Sequence, residues 1–164
     1  MLIQQNVDGS NFFNRSWEEL KVGVNDSRGN YWLGNELLHQ LTYSRGRYKL
    51  RFDLQTRNFS WYYAEYSTFV VSSEARNYKI LVTGYSGNVG DAFGHHNDMM
   101  FTTYDRDNDN WPFNCAVLYG GGFWYNRCSS VSVNGVRGRR DDFNWLPVNG
   151  SSTYLQSSRM WLMC

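Results

Sequence analysis

The sequence predicts an α+β domain: a twisted antiparallel sheet with short packed helices, followed by a loop-rich part. Three observations predict it. Residues 48–54 alternate strictly between apolar and polar side chains, as in a strand with one buried face. Ser16 and Glu19 have the spacing of a capping box, which marks a helix start. From Gly84 onward Gly, Ser, Asn and Asp dominate and regular periodicity fades, which indicates loops.

The elements are predicted in order from the periodicity of apolar residues and from the turn-forming and capping residues between them. They are a strand beginning within residues 2–7, helices over 17–22 and 35–41, and strands over 48–54, 61–71, 78–82 and 153–163. Leu37, Leu38 and Leu41 are expected to share one face of the second helix. The segment Thr56–Asn58 is expected to turn the chain between two strands.

The chain of 164 residues is predicted to be a single domain, residues 1–164. We divide it into a central sheet part, about 1–84, a loop-rich part expected to carry the functional site, about 85–152, and a strand returning to the sheet, about 153–164. Loops as long as those of the middle part are usually functional in a compact domain.

Composition excludes several classes of protein. The net charge of +1 argues against a nucleic-acid binder that depends on bulk charge. No stretch approaches the roughly 20 apolar residues of a membrane span. Aromatic residues make up 18%, which suits a core built on aromatic rings. No basic and apolar leader opens the chain, and we interpret this as upstream sequence that is missing.

An acidic stretch carries the first functional signal. Asp105, Asp107 and Asp109 recur at every second position among turn-forming residues, so a tight loop would aim their carboxylates at one centre. Ca²⁺ accepts carboxylates and backbone carbonyls in irregular loops, so the spacing favours a calcium site. It is not an EF-hand, because positions six and twelve hold Asn110 and Ala116. A solvated acidic turn is the alternative.

Several segments together carry a family resemblance. Besides residues 105–128, the matching pieces include Val7–Ser10, Trp17–Lys21, Tyr31–Glu36, Tyr63–Tyr66, Gly84–Ala92 and Phe101–Thr103. In this order the chain resembles a fibrinogen-related domain, the C-terminal globe of fibrinogen chains, ficolins, tachylectins, angiopoietins, tenascins and invertebrate fibrinogen-related lectins. The resemblance implies that the family's N-terminal segment, with its own disulfide, is absent here.

The resemblance implies a calcium site and a disulfide. The calcium ligands would be the side chains of Asp107 and Asp109 and the carbonyls of Trp111 and Phe113, with Asp105 behind them and water completing the set. Relatives often have a small residue at the position of Phe113, and a bulky residue does not easily adopt a glycine-like backbone angle.

The resemblance also pairs Cys115 with Cys128. A zinc site is the alternative for these cysteines, but no neighbouring Cys or His pair completes four ligands. Cys164 is left over, as a free thiol or a link to another chain. Four N-x-S/T sequons begin at Asn14, Asn25, Asn58 and Asn149, a pattern typical of secreted glycoproteins.

In the lectin-like relatives a ligand pocket lies beside the calcium. By resemblance it would use the ring of Tyr119 and the peptide joining Arg127 to Cys128, in a cis arrangement that turns the Cys128 N–H toward an acetyl oxygen. Many lectin relatives have His where this chain has Ser129, and an aromatic residue where it has Ser151.

Other residues beside the expected pocket set its chemistry. The stretch from Cys128 to Trp145 is shorter than in many relatives, and the aromatic residue they supply there has no clear counterpart here, although Phe143 is nearby. Three basic residues flank the pocket: Arg137, Arg139 and Arg140. They would favour an anionic glycan, and the alternative is a solvated loop balanced by Asp141 and Asp142.

We therefore expect a secreted, calcium-dependent recognition domain for glycans or acetylated groups on microbial or cell surfaces, as in innate-immune lectins. The alternative is an extracellular adhesion or receptor-ligand module that meets a protein partner and uses calcium only structurally. Several copies, joined through Cys164 or an upstream region, would supply avidity. No catalytic motif assembles a nucleophile with its base, and His95 and His96 are adjacent, so we predict no enzymatic activity.

Overall fold

A computed structural model describes residues 1–44, 47–139, 142–146 and 152–164. Its strands are β1 Leu2–Asn6, β2 Val24–Asn25, β3 Tyr31–Trp32, β4 Lys49–Thr56, β5 Trp61–Val71, β6 Ile80–Gly87, β7 Asn144–Trp145 and β8 Thr153–Met163. The α-helices of the described residues are α1 Trp17–Val22, α2 Asn35–Ser44 and α3 Cys115–Tyr119, and 3₁₀ turns cover Asn11–Phe13, Glu74–Arg76 and Phe93–His96. The predicted α+β class is confirmed.

The last strand of the chain lies in the middle of the sheet. The strand order is β2-β3-β1-β8-β4-β5-β6, and β7 pairs separately with β8. Met160 of β8 faces Gln4 on one side and Phe52 on the other, both in antiparallel register. The prediction that residues 153–163 return to the sheet is confirmed. None of the described helices combines the length and the apolar character needed to cross a bilayer.

Alternation along β4 builds the core and joins it to the loop-rich part. Leu50, Phe52 and Leu54 are fully buried on one face of the strand. The ring of Phe52 lies 5.0 Å from the rings of both Phe93 and Trp145, which belong to later segments of the chain. Edge-to-face aromatic contacts of this kind add to the stabilisation that burial gives.

Helix α1 begins at the predicted capping box. The acidic loop, residues 105–109, contacts its first residue. The Ser16 hydroxyl accepts the Glu19 N–H, and the Glu19 carboxylate accepts the Ser16 N–H. The Trp17 N–H donates to the Asp105 carboxylate at 2.9 Å. The Arg106 guanidinium lies 4.0 Å from the Trp17 ring centroid, a cation–π distance.

Three sequence-based predictions of local structure need correction. Leu38 is buried but Leu37 is 42% exposed, because consecutive residues on a helix point about 100° apart and only Leu38 is turned toward the core. Strand β6 starts at Ile80 instead of Tyr78, because Asn77 and Tyr78 both have positive φ angles, 54° and 51°, which close a turn. Helix α3 forms where the sequence predicts a loop.

The core contact of Phe52 can be tested by truncation. We expect Phe52→Ala to lower the free energy of unfolding by about 3–5 kcal/mol, because it leaves a cavity against Phe93 and Trp145. Leu81→Ala is the control on β6, two strands away in the same sheet, where the side chain is 49% exposed, and we expect a change within about 0.5 kcal/mol. Urea denaturation measures both, and equal losses would contradict this view of the core.

Candidate ligand-binding site

A disulfide joins the two segments that form the site. Cys115 and Cys128 are bonded, with their Cα atoms 5.6 Å apart, so the predicted bridge is confirmed. Cys115 opens α3, where the Asn114 side chain caps the helix by accepting the Val117 N–H at 3.2 Å. Thirteen positions along the chain separate the two cysteines, so the bridge closes a short loop.

A polar cavity of about 200 Å³ lies at the second cysteine. It is lined by His95, His96, Asn126, Arg127, Cys128, Ser129 and Ser130. The peptide bond between Arg127 and Cys128 is cis, as the resemblance implies. The Asn126 N–H donates to the Cys128 carbonyl at 2.8 Å, which closes this segment on itself.

His96 fixes one wall of the cavity. Its side chain is fully buried. Nδ1 lies 2.7 Å from the Trp124 carbonyl, and Nε2 accepts the Ser130 N–H at 3.1 Å. Both contacts are satisfied by a neutral ring that carries its proton on Nδ1. Burial lowers the pKa of His96 to about 4, which keeps the ring neutral at physiological pH.

The Ser129 side chain is bonded to the backbone beside the cavity. The Ser129 hydroxyl donates to the Val131 carbonyl and accepts the Val131 N–H. These bonds turn the chain directly after Cys128. The His that many lectin relatives have at the position of Ser129 is thus replaced here by a side chain engaged in a local turn.

Two predicted ligand residues, Tyr119 and Phe143, are not among the residues that line the cavity. Tyr119 is 4% exposed and stacks on Tyr125 with ring centroids 5.6 Å apart. Phe143 is fully buried, close to Gly9. Neither belongs to the lining, whereas Arg127, Cys128 and Ser129 do. The structure therefore brings together only three of the five predicted ligand residues.

The sequence-based prediction missed four lining residues: His95, His96, Asn126 and Ser130. Asn126 and Ser130 flank the predicted pair and could have been found by extending that segment. The sequence pattern of the adjacent histidines gives no indication that they line a pocket. The position of His96 depends on its hydrogen bond to the Trp124 carbonyl, which has no signal in the local sequence.

Asp107 and Asp109 lie together in the acidic loop. The Asp109 carboxylate accepts the Trp111 N–H at 2.9 Å and the Cys115 N–H at 2.8 Å. Asp107 accepts the Asp109 N–H at 3.2 Å. Burial raises the pKa of Asp109, and the nearby charge of Asp107 adds to this. A cation between the two carboxylates would relieve their repulsion.

The Asp105 carboxylate has hydrogen-bond partners of its own. Its carboxylate accepts the Trp17 N–H and, at 2.7 Å, the Thr103 hydroxyl. Within the described ranges no group of three or more His, Cys, Asp or Glu side chains is arranged to hold a metal. The expectation that three carboxylates converge on one centre is therefore wrong, since Asp105 anchors α1. The two-carboxylate site, completed by the carbonyls of Trp111 and Phe113, stays a prediction.

The flanking arginines contact backbone carbonyls. Arg139 donates to the Val117 carbonyl at 2.9 Å, and Arg137 approaches the Leu155 carbonyl at 3.4 Å. The Asp142 carboxylate forms an ion pair with Arg57 and, among the described residues, with neither Arg137 nor Arg139. Four other predicted positions lie outside the described residues: Arg140, Asp141, Asn149 and Ser151.

Sequence comparison places this arrangement in a family. The family model described as the C-terminal globular domain of fibrinogen beta and gamma chains matches residues 1–163. The chain belongs to this family. The family is non-enzymatic, so the prediction of no enzymatic activity for this fibrinogen-like domain is confirmed.

Relatives of the fibrinogen-like domain are longer proteins. The human (Homo sapiens) fibrinogen alpha chain is 41% identical over 177 residues, which cover 99% of this chain and 20% of the relative. Angiopoietin-related protein 7 of Bos taurus is 40% identical over 167 residues, which cover 97% of this chain and 48% of the relative. The chain thus spans between a fifth and a half of these relatives.

Solved structures share the same fold. The fibrinogen-like globe domain of human ANGPTL2 matches with a TM-score of 0.90 and 38% identity, covering 99% of this chain and 78% of that one. Lamprey fibrin D-dimer, complexed with the peptide Gly-His-Arg-Pro-amide, matches with a TM-score of 0.85 and 30% identity, covering 98% and 60%.

The neutral state of His96 predicts a dependence of stability on pH. The unfolded chain takes up a proton on this ring near pH 6.5, whereas the folded chain does so only near 4. The unfolded state therefore binds more protons within this window, and stability falls as pH decreases from 6.5 to 4, by roughly 1.4 kcal/mol per unit at most.

The measurement is urea unfolding at several pH values. We expect His96→Gln to flatten this part of the profile and His95→Gln, an exposed neighbour, to leave it unchanged. A profile that keeps its slope in His96→Gln would show that other groups cause it.

Proposed function

We propose that this fibrinogen-like domain is an extracellular recognition module that binds a protein partner at the Arg127–Cys128 cavity. The observation that carries the proposal is the lining, which offers backbone, imidazole, amide and hydroxyl groups. An acetyl methyl group would need an apolar enclosure, but Tyr119 and Phe143 are buried elsewhere. A peptide main chain needs donors and acceptors, which this lining supplies.

Arg127 supports a partner that carries a carboxylate. Its side chain is exposed and lines the cavity. Among the described residues its guanidinium has no hydrogen-bond or ion-pair partner, unlike the guanidinium groups of Arg137 and Arg139. A guanidinium recognises a carboxylate through two parallel hydrogen bonds. We infer that the bound segment presents an acidic side chain or a chain terminus.

Exposed apolar side chains near the cavity also favour a protein partner. Trp111 and Phe113 pack edge to face at 5.1 Å, and Phe113 is 68% exposed. Asn110, which precedes Trp111, donates its N–H to the carbonyl of Asn126 at 3.1 Å, so this loop adjoins the cavity segment. Exposed apolar surface rimmed by polar residues is typical of protein–protein contact sites.

The relatives also favour a protein partner over a glycan. Those reported above are named as fibrinogen and angiopoietin-related proteins, and the lamprey fibrin structure holds a peptide. These likenesses favour the protein-binding alternative over the glycan-binding expectation. A glycan or acetylated ligand is the second candidate, because the cis peptide before Cys128 is the feature that the resemblance links to acetyl binding.

We propose that calcium has a structural role in this module. Asp107 and Asp109 would supply side-chain ligands and Trp111 and Phe113 their carbonyls, with Ca²⁺ offsetting the repulsion between the two carboxylates. Because Asp109 also accepts the Cys115 N–H, ordering this loop would stabilise the start of α3 and the disulfide beside the cavity.

Calcium binding can be tested by thermal unfolding. Calcium at about 100 times its dissociation constant stabilises the folded state by about 2.7 kcal/mol, which for a chain of this size corresponds to roughly 5–10 °C. We expect this shift in the native chain and its loss in Asp107→Asn and Asp109→Asn. Asp98→Asn, which removes an exposed carboxylate paired with Lys79, should keep it. Equal calcium-dependent shifts in melting temperature in all four proteins would contradict the proposed calcium site.

The partner class can be tested with a display library of extracellular protein segments. We expect the native chain to select segments that carry a carboxylate, and Arg127→Glu to weaken their binding at least tenfold, about 1.4 kcal/mol. Arg47→Glu is the matched control, because Arg47 is also exposed and unpaired among the described residues but lies outside the cavity. Selection of no segment, together with binding to acetylated glycans on an array, would favour the second candidate.

A further inference from the structure

The sequons fall on exposed asparagines. Asn14, Asn25 and Asn58 are all exposed, and the fourth sequon, at Asn149, lies outside the described residues. Buried asparagines, such as Asn134, begin no sequon. A bulky glycan requires such an exposed position.

Asn58 is held in a way that leaves its amide nitrogen available. It lies in the turn between β4 and β5. Its Oδ1 accepts the Thr56 hydroxyl and, at 3.3 Å, the Ser60 N–H. No hydrogen bond within the described residues uses Nδ2. Because an N-linked glycan replaces one Nδ2 hydrogen and keeps the carbonyl, both contacts of the turn survive the modification.

The same turn exposes aromatic rings. Phe59 is 69% exposed and has a φ angle of 66°, which is uncommon for a bulky residue. Trp61, two residues on, is 50% exposed. Tyr154 of β8 is 46% exposed, and its carbonyl accepts the Arg57 N–H at 3.3 Å. Exposed aromatic side chains beside one turn offer apolar surface on which an attached group can pack.

We propose that Asn58 carries an N-linked glycan that packs over Phe59 and Trp61. In the transfer step Nδ2 attacks the anomeric carbon of an oligosaccharide linked to a lipid diphosphate. The C–N bond forms, Nδ2 loses one proton, and the anomeric C–O bond breaks with its electron pair leaving on the diphosphate. The inference rests on the extracellular location in the proposed function, because the donor is met in the secretory pathway.

The test is expression in eukaryotic cells with a cleavable secretion leader, so that it does not depend on the native route or on the partner. Three proteins are compared: the native chain, Ser60→Ala and Ser60→Thr. Ser60→Ala removes the sequon but keeps Asn58 and the Ser60 backbone N–H that it binds. Ser60→Thr keeps the sequon and is the matched control.

One measurement tests whether Asn58 is glycosylated, and a second tests whether the glycan packs on the aromatic rings. Peptide mass spectrometry after enzymatic deglycosylation should find Asn58 converted to Asp in the native chain and Ser60→Thr, but not in Ser60→Ala. Chymotrypsin cleavage after Phe59 should be several-fold slower in the two glycosylated proteins. An unmodified Asn58 in the secreted native chain overturns the proposal. Equal cleavage rates overturn the packing of the glycan on the aromatic rings.

Discussion

The disulfide between Cys115 and Cys128 is the constraint on which the site depends. It fixes the start of α3 against the segment that carries the cis peptide and lines the cavity. The Asp109 carboxylate binds the backbone N–H of the first of these cysteines. The acidic loop, the helix and the cavity therefore form one connected unit, and a cation at the acidic loop would act on the cavity through this contact.

Buried polar contacts attach that unit to the sheet. His96 links the Trp124 carbonyl to the Ser130 N–H, and the Trp124 indole N–H donates to the Tyr78 carbonyl at 2.8 Å. Such contacts are strong inside a core, because an unpaired polar group there is costly. On the other side, Asp105 ties the acidic loop to the first amide of α1. The cavity thus has walls of fixed geometry, which suits recognition of a defined segment of a partner.

Local signals predicted most of the sheet, and long-range packing decided the site. The capping box and the bounds of β5 and β8 depend on neighbouring residues, so they were predictable. Helix α3 has only five residues, too few for periodicity to reveal it. The spacing could not reveal that Asp105 binds the Trp17 N–H, because Trp17 lies 88 positions away. Tyr119 was assigned to the pocket by resemblance, but stacking on Tyr125 keeps it in the core.

Protein recognition at the cavity is tested most directly by ¹⁵N–¹H NMR of the labelled chain. It would be titrated with an acidic peptide selected from the display library and, separately, with N-acetylglucosamine. Binding of a peptide at this place predicts shifts of the Arg127, Cys128 and Ser129 amides and of the Trp111 indole, with none from the sugar. Shifts of the same amides by N-acetylglucosamine alone would contradict it.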